Sequence, residues 1–431
     1  MRSNPQRVAW AALISALAVF CALCLSSVAL LRWFILESPT QLSVVVHVGR
    51  GTVGLAEPDA SDEKAVRTSA AVENKNRLNT DSLSQGYVSF SDPYSNTIIA
   101  TVMLYNDSVL TLDNANRPRF SFSENPYQIR LIGATGQFEV WVNSSLARDL
   151  LLEIETPLGL TQIREGGSFQ IVSNSGYLNV TALTGSATLI GLDGRQQRVA
   201  TLTKAAVQQN NPAISLVTAP TDLLPNSSFG QSEDWPVEWK CYRYADIPEE
   251  SGGNYEFTTE DGRPVIHIYR LDENLNHGET GCVQAWPGEG LDVQSYSSLR
   301  LRVTMQIKYQ KLSACGDQGS ECPVMLRLTY TDQNGNENRV WIHGFFADFT
   351  PGLGRRTCDT CLGDHDQINK EAWYTFESLN FITDLPLDRG RPYYINEIKF
   401  YASGHQYEIL LAEVSLLAET SAPEAVVLPV E

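Results

Sequence analysis

Residues 299–308 read LRLRVTMQIK, and their two-residue alternation decides the fold. In an extended strand Leu299, Leu301, Val303, Met305 and Ile307 share one face, while Arg300, Arg302, Thr304, Gln306 and Lys308 share the other. A helical period would spread the same apolar residues around the whole circumference. Residues 324–330 and 398–403 alternate in the same way, and Asp332-Gln-Asn-Gly-Asn336 carries the Asn-Gly signal of a hairpin turn. Working outward, this patterning predicts an antiparallel β-sandwich over 222–419. Upstream, from 78 to 204, short apolar runs are punctuated by Asn, Asp, Gly and Ser at intervals of about ten residues, again an all-β signature. The expected fold class is therefore all-β, with one exception at the N-terminus.

The exception is VAWAALISALAVFCALCLSSVALL at 8–31, which contains no charge. As a helix it would reach roughly 36 Å, enough to cross a hydrocarbon core of about 30 Å. Arg2, Arg7 and the terminal amine precede it and Arg32 follows, so the positive-inside bias predicts a cytoplasmic N-terminus. Export signals have apolar cores of about 7–15 residues and a small-residue exit, whereas this run leaves through Leu30-Leu31-Arg32-Trp33-Phe34. The expectation is an uncleaved single-pass anchor over 8–36, a cytoplasmic tail of 1–7, and the bulk of the chain outside the cytoplasm.

Charge divides the remainder. The chain carries −18 overall, of which −1 lies in 1–220 and −17 in 221–431. Such an acidic second half argues against nucleic acid or anionic lipid as its partner. Cys21 and Cys24 lie in the apolar run; Cys241, Cys282, Cys315, Cys322, Cys358 and Cys361 lie in the acidic half, an even number that in an oxidising compartment reads as disulfides. Six cysteines allow fifteen pairings. The local choice is Cys315–Cys322 and Cys358–Cys361, leaving Cys241–Cys282; a zinc site on Cys315, Cys322, Cys358 and Cys361 is the rival.

After a β-branched strand at 41–51, the polar stretch 56–77 reads as a loop or weakly ordered insertion. The text LNTDSLSQGYVSFSDP with SVLTLD, and then ETPLGLTQIREGGSFQIVSNSGYLNVTALTGSATLIG, resembles a FecR-like domain over 42–205. Thr156-Pro157, Gly167-Ser168-Phe169 and the hairpin Asn179-Val180-x-x-Leu183-x-Gly185 stand at that family's recognisable steps, with Ser168 in place of the usual Thr. The resemblance implies the extracytoplasmic arm of a signalling protein that regulates an alternative sigma factor. Residues 1–7, however, are too few to form a cytoplasmic anti-sigma segment. Residues 206–221, with two prolines and no pattern, are expected to link this domain to the next. From 222, Asn226-x-x-Phe229 ahead of a Trp, and the closing strand YEILLAEVSLL at 407–417, are similar to galactose-binding-like jelly rolls of the carbohydrate-binding-module type. The tail 420–431 is expected to be loose.

No catalytic constellation stands out: six histidines are scattered, and neither H-E-x-x-H nor G-x-S-x-G occurs. The expectation is a protein that is not an enzyme. If the apolar members of each strand face the core, the opposite face collects Arg302, Arg327, Trp341, His343 and Tyr401, with Arg300 and Lys399. An aromatic platform flanked by forked donors suits sugar recognition. The jelly-roll resemblance further implies a structural calcium between first and last strands, with Glu413 and Asn226 as candidate ligands, although Gly230 stands where an acid would follow the Phe. No other cofactor is expected. The leading function is non-catalytic recognition of carbohydrate or another envelope ligand. The alternatives are an assembly component contacting envelope proteins, and a FecR-type sensor working through a membrane partner.

Overall fold

In the computed structural model, which describes residues 5–58, 62–230, 238–273 and 276–420, a single helix Pro5–Leu36 precedes an all-β body. Part of the opening segment of the second domain (231–237), and the tail from 421, lie outside the described residues. The helix is long and apolar enough to cross a membrane, and its apolar side chains are exposed along its length.

By strand pairing the first domain folds as two sheets joined by one long strand, Tyr127–Val142. Its first half pairs with Val109–Pro118 and Leu150–Thr156; its second half pairs with Ile98–Leu104 and Gly167–Ser173. The change of sheet falls at Gly133 and Gly136, whose φ values of 63° and 112° are backbone shapes that glycine adopts without steric cost. Alternating apolar residues of both sheets, among them Val46, Phe90, Leu104, Phe138, Ile154, Phe169 and Leu189, fill the space between. The polar stretch expected to be a loose loop instead carries the strands Glu63–Val66 and Ser69–Ala71, paired with Val53–Ala56 and Ser43–Arg50. Its small and charged side chains suit a strand with one solvated face.

The expected linker is also corrected. Thr203–Gln208 pairs with Tyr177–Thr184, and Asn211–Thr218 pairs back on Thr203–Gln208, so 206–218 is a hairpin that completes the first domain. Thr221–Asp222 already belongs to the second domain, paired with the end of Tyr407–Glu419.

The second domain is a sandwich. One sheet runs Asn254–Glu260, Arg263–Arg270, Tyr407–Glu419, Ser298–Gln310, Tyr374–Glu377. The other runs Lys240–Ala245, Gly278–Ala285, Pro392–Gly404, Val324–Asp332, Arg339–Phe346, Asp366–Gln367. Leu299, Leu301, Val303, Met305 and Ile307 all point into the core between them. The cysteines form Cys241–Cys282, which joins directly opposed residues of neighbouring strands, Cys315–Cys322 and Cys358–Cys361. Asp332 closes its turn by accepting the backbone N–H of Asn334 and Asn336, both at 2.9 Å. On the outer face, Gly281 lets the Tyr401 side chain cross its strand: a Cβ there would lie 2.4 Å from both the Phe400 carbonyl oxygen and Tyr401 Cβ. Gly281→Ala should therefore cost about 1–3 kcal/mol in equilibrium unfolding.

The two domains are not separated by solvent. The sheet containing Ser298–Gln310 turns its outer face onto the first domain, where Tyr87, Met103 and Tyr105 meet Val265, Trp373, Leu410 and Ala412 in one buried apolar cluster. Around it, the Gln85 amide exchanges two hydrogen bonds with the Thr375 backbone, 3.0 and 2.8 Å. Asn369 donates to the carbonyls of Val48 and Gly49, and Arg50 pairs with Asp366 at 3.0 Å. A Cβ on Gly49 would come within 2.7 Å of the Trp373 carbonyl oxygen, a measure of how closely the backbones approach.

Candidate functional site

The residues expected to form one binding face divide among three environments. Trp341 is buried, its ring edge-on to Phe381 at 5.1 Å and stacked with Phe376 at 6.4 Å. This corrects its expected outward position. Trp341 stands directly opposite Leu328, and opposed residues of an antiparallel pair share a face. Leu328 faces the core, so Trp341 does too, and the flanking Val340 and Ile342 turn outward. His343 lies on the inner side with it, stacked on Phe376 at 4.9 Å and 3.2 Å from Asp366. Arg327 and Tyr401 do share the outer face of the same sheet, Arg327 directly opposite Lys399. There Lys399 donates to Glu279 at 2.8 Å and sits over the rings of Tyr242 (4.8 Å) and Tyr401 (4.4 Å). The loop bearing Cys315–Cys322 packs on Tyr401, which is itself buried.

Arg302 is in the third environment, the domain interface, with none of its side chain exposed. The alternation of its strand is as expected, but the side opposite the core is covered: Arg302, Thr304 and Gln306 are all buried. Its guanidinium pairs with Glu139 of the first domain through Nη2 and lies 4.0 Å from Glu413. Nε and Nη1 find no acceptor among the described residues. Glu139 also accepts the Tyr105 hydroxyl at 2.9 Å, and Glu413 accepts Ser415 at 2.7 Å.

Glu139, Glu413 and Ser415 of this cluster line a cleft of about 480 Å³ between the domains, which Arg302 itself does not reach. Trp141, Leu183, Leu202, Pro220 and Leu417 give it apolar surface; Glu139, Glu413, Asp222, Ser227, Ser415 and Arg263 give it polar groups. Arg263 is buried over the Trp141 ring at 4.6 Å, and its Nε is unpartnered among the described residues. Burial pushes the carboxyl of Asp222 above its ordinary range, outweighing the hydrogen bonds from Ser227 and the Leu224 N–H. Burial likewise raises Glu413, against the pull of Arg302. A larger open depression of about 870 Å³ lies elsewhere, between Lys308, Lys311, Glu371, His405 and Glu408. Its lining is mostly polar, with Leu271 and Tyr309 as its apolar members, so the cleft has more of the character of a ligand site.

The raised Glu413 has a readable sign. A carboxyl whose folded pKa lies above its unfolded value of about 4.3 contributes stability that is complete below that value and is lost as pH rises through the folded pKa. Asp366 has the opposite sign: burial would raise it, but His343 and Arg50 hold it below the usual carboxylate range. Its contribution is complete above the unfolded pKa and lost as pH falls through the folded one. Glu413→Gln should therefore shrink the decline in melting temperature that the parent shows above the unfolded carboxylate range, leaving the share that the likewise raised Asp222 contributes, while keeping the acid limb of Asp366. Thermal unfolding over a pH series checks both limbs.

For calcium, the carboxylate of Glu413 has a guanidinium as neighbour, and Asn226 engages Trp239 through its backbone carbonyl, 3.1 Å from the indole N–H. A cation already stands beside the acid that a calcium ion would need. The rival zinc cluster is brought together in space, since sulfurs of both short-loop disulfides lie close to His365. The ring, however, is committed. His365 Nδ1 accepts the Gly344 N–H at 2.9 Å, so in the neutral ring the proton sits on Nε2, which donates to the Gly319 carbonyl at 2.9 Å. A metal would need that Nε2 lone pair.

No protein-family model matches the chain, and no curated protein does either. Among solved structures, two assigned as anti-sigma factors from Parabacteroides distasonis align over 28% and 33% of this chain and 51% and 59% of theirs, at 16% and 13% identity and TM-scores of 0.22 and 0.25. The chain thus spans less than two thirds of either. The CBM22-1 xylan-binding domain of Paenibacillus barcinonensis Xyn10C aligns over 48% of this chain and 99% of its own, at 11% identity and a TM-score of 0.25.

Proposed function

We propose that the chain is a membrane-anchored, extracytoplasmic, non-catalytic binding protein that takes a carbohydrate ligand of the cell envelope in the cleft between its two β domains. One observation carries this: apolar surface and several polar side chains converge in a single concave site, two of whose carboxyls are raised by burial. Carboxyl oxygens that accept, a guanidinium that donates (Arg263) and the ring of Trp141 suit the hydroxyls and the C–H face of a sugar ring. Glu139 is held by Arg302 and Tyr105, which supports a wall rather than a reagent.

The test uses the full chain in lipid nanodiscs against a glycan array and envelope polysaccharides. Binding should weaken in Glu413→Gln and in the cleft-filling Leu183→Trp, and persist in Arg327→Ala on the outer sheet face. The reverse pattern would move the site to that face. A second reading, assembly with envelope proteins, is supported by Asn211–Thr218, a strand with no charged residue, which pairs with Thr203–Gln208 and exposes Leu216 and Val217. Self-association or capture of envelope protein, with no glycan bound, would favour it.

A further inference from the structure

The segment between the strands Val109–Pro118 and Tyr127–Val142 carries Arg119, Phe120 and Phe122, and the core of neither domain uses these rings. Phe122 is 61% exposed, in a stretch otherwise composed of polar residues and proline. Its ring stacks on Phe120 at 5.4 Å, and Phe120 meets Phe34 of the helix edge-on at 5.7 Å. The guanidinium of Arg119 lies 5.5 Å over the Phe34 ring.

This aromatic group is fixed to the end of the helix. The Ser123 hydroxyl donates to the Leu36 carbonyl at 2.6 Å, and the Asn125 amide donates to the same carbonyl at 3.2 Å and to Glu37 at 3.0 Å. Both bonds satisfy a carbonyl in the last turn, which a helix end otherwise leaves open. Arg148 braces the loop from behind through the carbonyls of Ser121, Ser123 and Asn125. The chain then enters the ladder Pro39–Gln41 against 116–118 without a free residue between. Helix and loop are one unit.

From this we infer that the Phe120–Phe122 loop is a second membrane contact, seated in the headgroup and upper acyl region of the same bilayer that the helix crosses. The inference rests on the anchor reading. At 32 residues the helix is about 48 Å long, more than the roughly 30 Å hydrocarbon core, so Trp33 and Phe34 reach the interfacial zone. Phe120 touches Phe34 from the side and so lies at about its depth, and Phe122 stacks on Phe120 one ring further out. Aromatic rings favour that level, and Arg32 and Arg119 beside them match lipid phosphates. The first domain would then sit flush on the membrane, holding its partner and the cleft at a set height and orientation.

The experiment places an environment-sensitive fluorophore on single cysteines in the full chain, with Cys21 and Cys24 replaced by alanine, in phosphatidylcholine–phosphatidylglycerol nanodiscs with and without brominated acyl chains. Labels go at Phe122→Cys, at Val28→Cys in the helix and at Leu83→Cys, an exposed position on another loop. The Phe122 label should be blue-shifted and quenched more than halfway from the Leu83 value to the Val28 value. Placing the label at Ser121→Cys and adding Phe122→Asp should reverse the shift. A Phe122 label as wet as Leu83, with Val28 quenched, overturns the loop contact and leaves the anchor intact. An unquenched Val28 overturns the anchor, and the loop contact with it.

Discussion

Replacing Arg302 with methionine should destabilise the two-domain body by about 3–5 kcal/mol, because it leaves the buried Glu139 and the partly buried Glu413 without the cation that pairs with them. Glu139 comes from the first domain and Glu413 from the last strand of the second, so the loss falls on the contact between domains. Calorimetry or denaturant unfolding of the parent should show one cooperative transition. The variant should show either a single transition at much lower denaturant or two separated ones. The compensating triple variant Arg302→Met, Glu139→Gln, Glu413→Gln should recover much of the loss, since the cost comes from unpaired charge and not from missing volume. If Arg302→Met changes stability by less than about 0.5 kcal/mol, the value expected at an open surface, the guanidinium is not buried between the domains.

Trp341→Ala should cost about 3–5 kcal/mol, as expected for deleting a buried indole. The ring fills the sandwich beside Phe381 and Phe376, with the Phe345 ring next in the cluster. A sugar platform on an open sheet face would behave in the opposite way, losing ligand and leaving unfolding nearly untouched. Measuring both quantities on the same variant separates the two positions. Below its melting transition the variant should still bind whatever ligand the parent binds, because Trp341 does not line the cleft.

Much of this molecule was legible from local pattern. The uncharged run at 8–31 forms the single long helix, and the alternation of 299–308 places its apolar residues in the sandwich core. Each depends on a period that neighbouring residues alone determine. The linker and the polar insertion were misread because strands such as Asn211–Thr218 and Ser69–Ala71 are stabilised by the partner they pair with, not by their own hydrophobicity. The parity of Trp341 failed for a related reason. Val-Trp-Ile offers an apolar choice on both faces, and only the register with Leu328 selects one.

The candidate site was legible only in fragments. Arg302 and Glu413 were both singled out, one as a sugar donor and one as a calcium ligand, and the fold places them 4.0 Å apart, Glu413 lining the cleft and Arg302 buried beside it. Glu139, Trp141 and Arg263 carried no signal, since a charged or aromatic residue at an alternate strand position reads as a solvated face. The sequence by itself determined the strand class, the apolar helix, the cysteine inventory and which side of each well-patterned strand faces the core, because these follow from chemistry repeated at short range. Only the tertiary structure decided what lies against the other side. One sheet face meets a second domain and the other carries a charged aromatic cluster, and that difference turns on contacts between residues more than a hundred positions apart, such as Glu139 with Arg302 and Gln85 with Thr375.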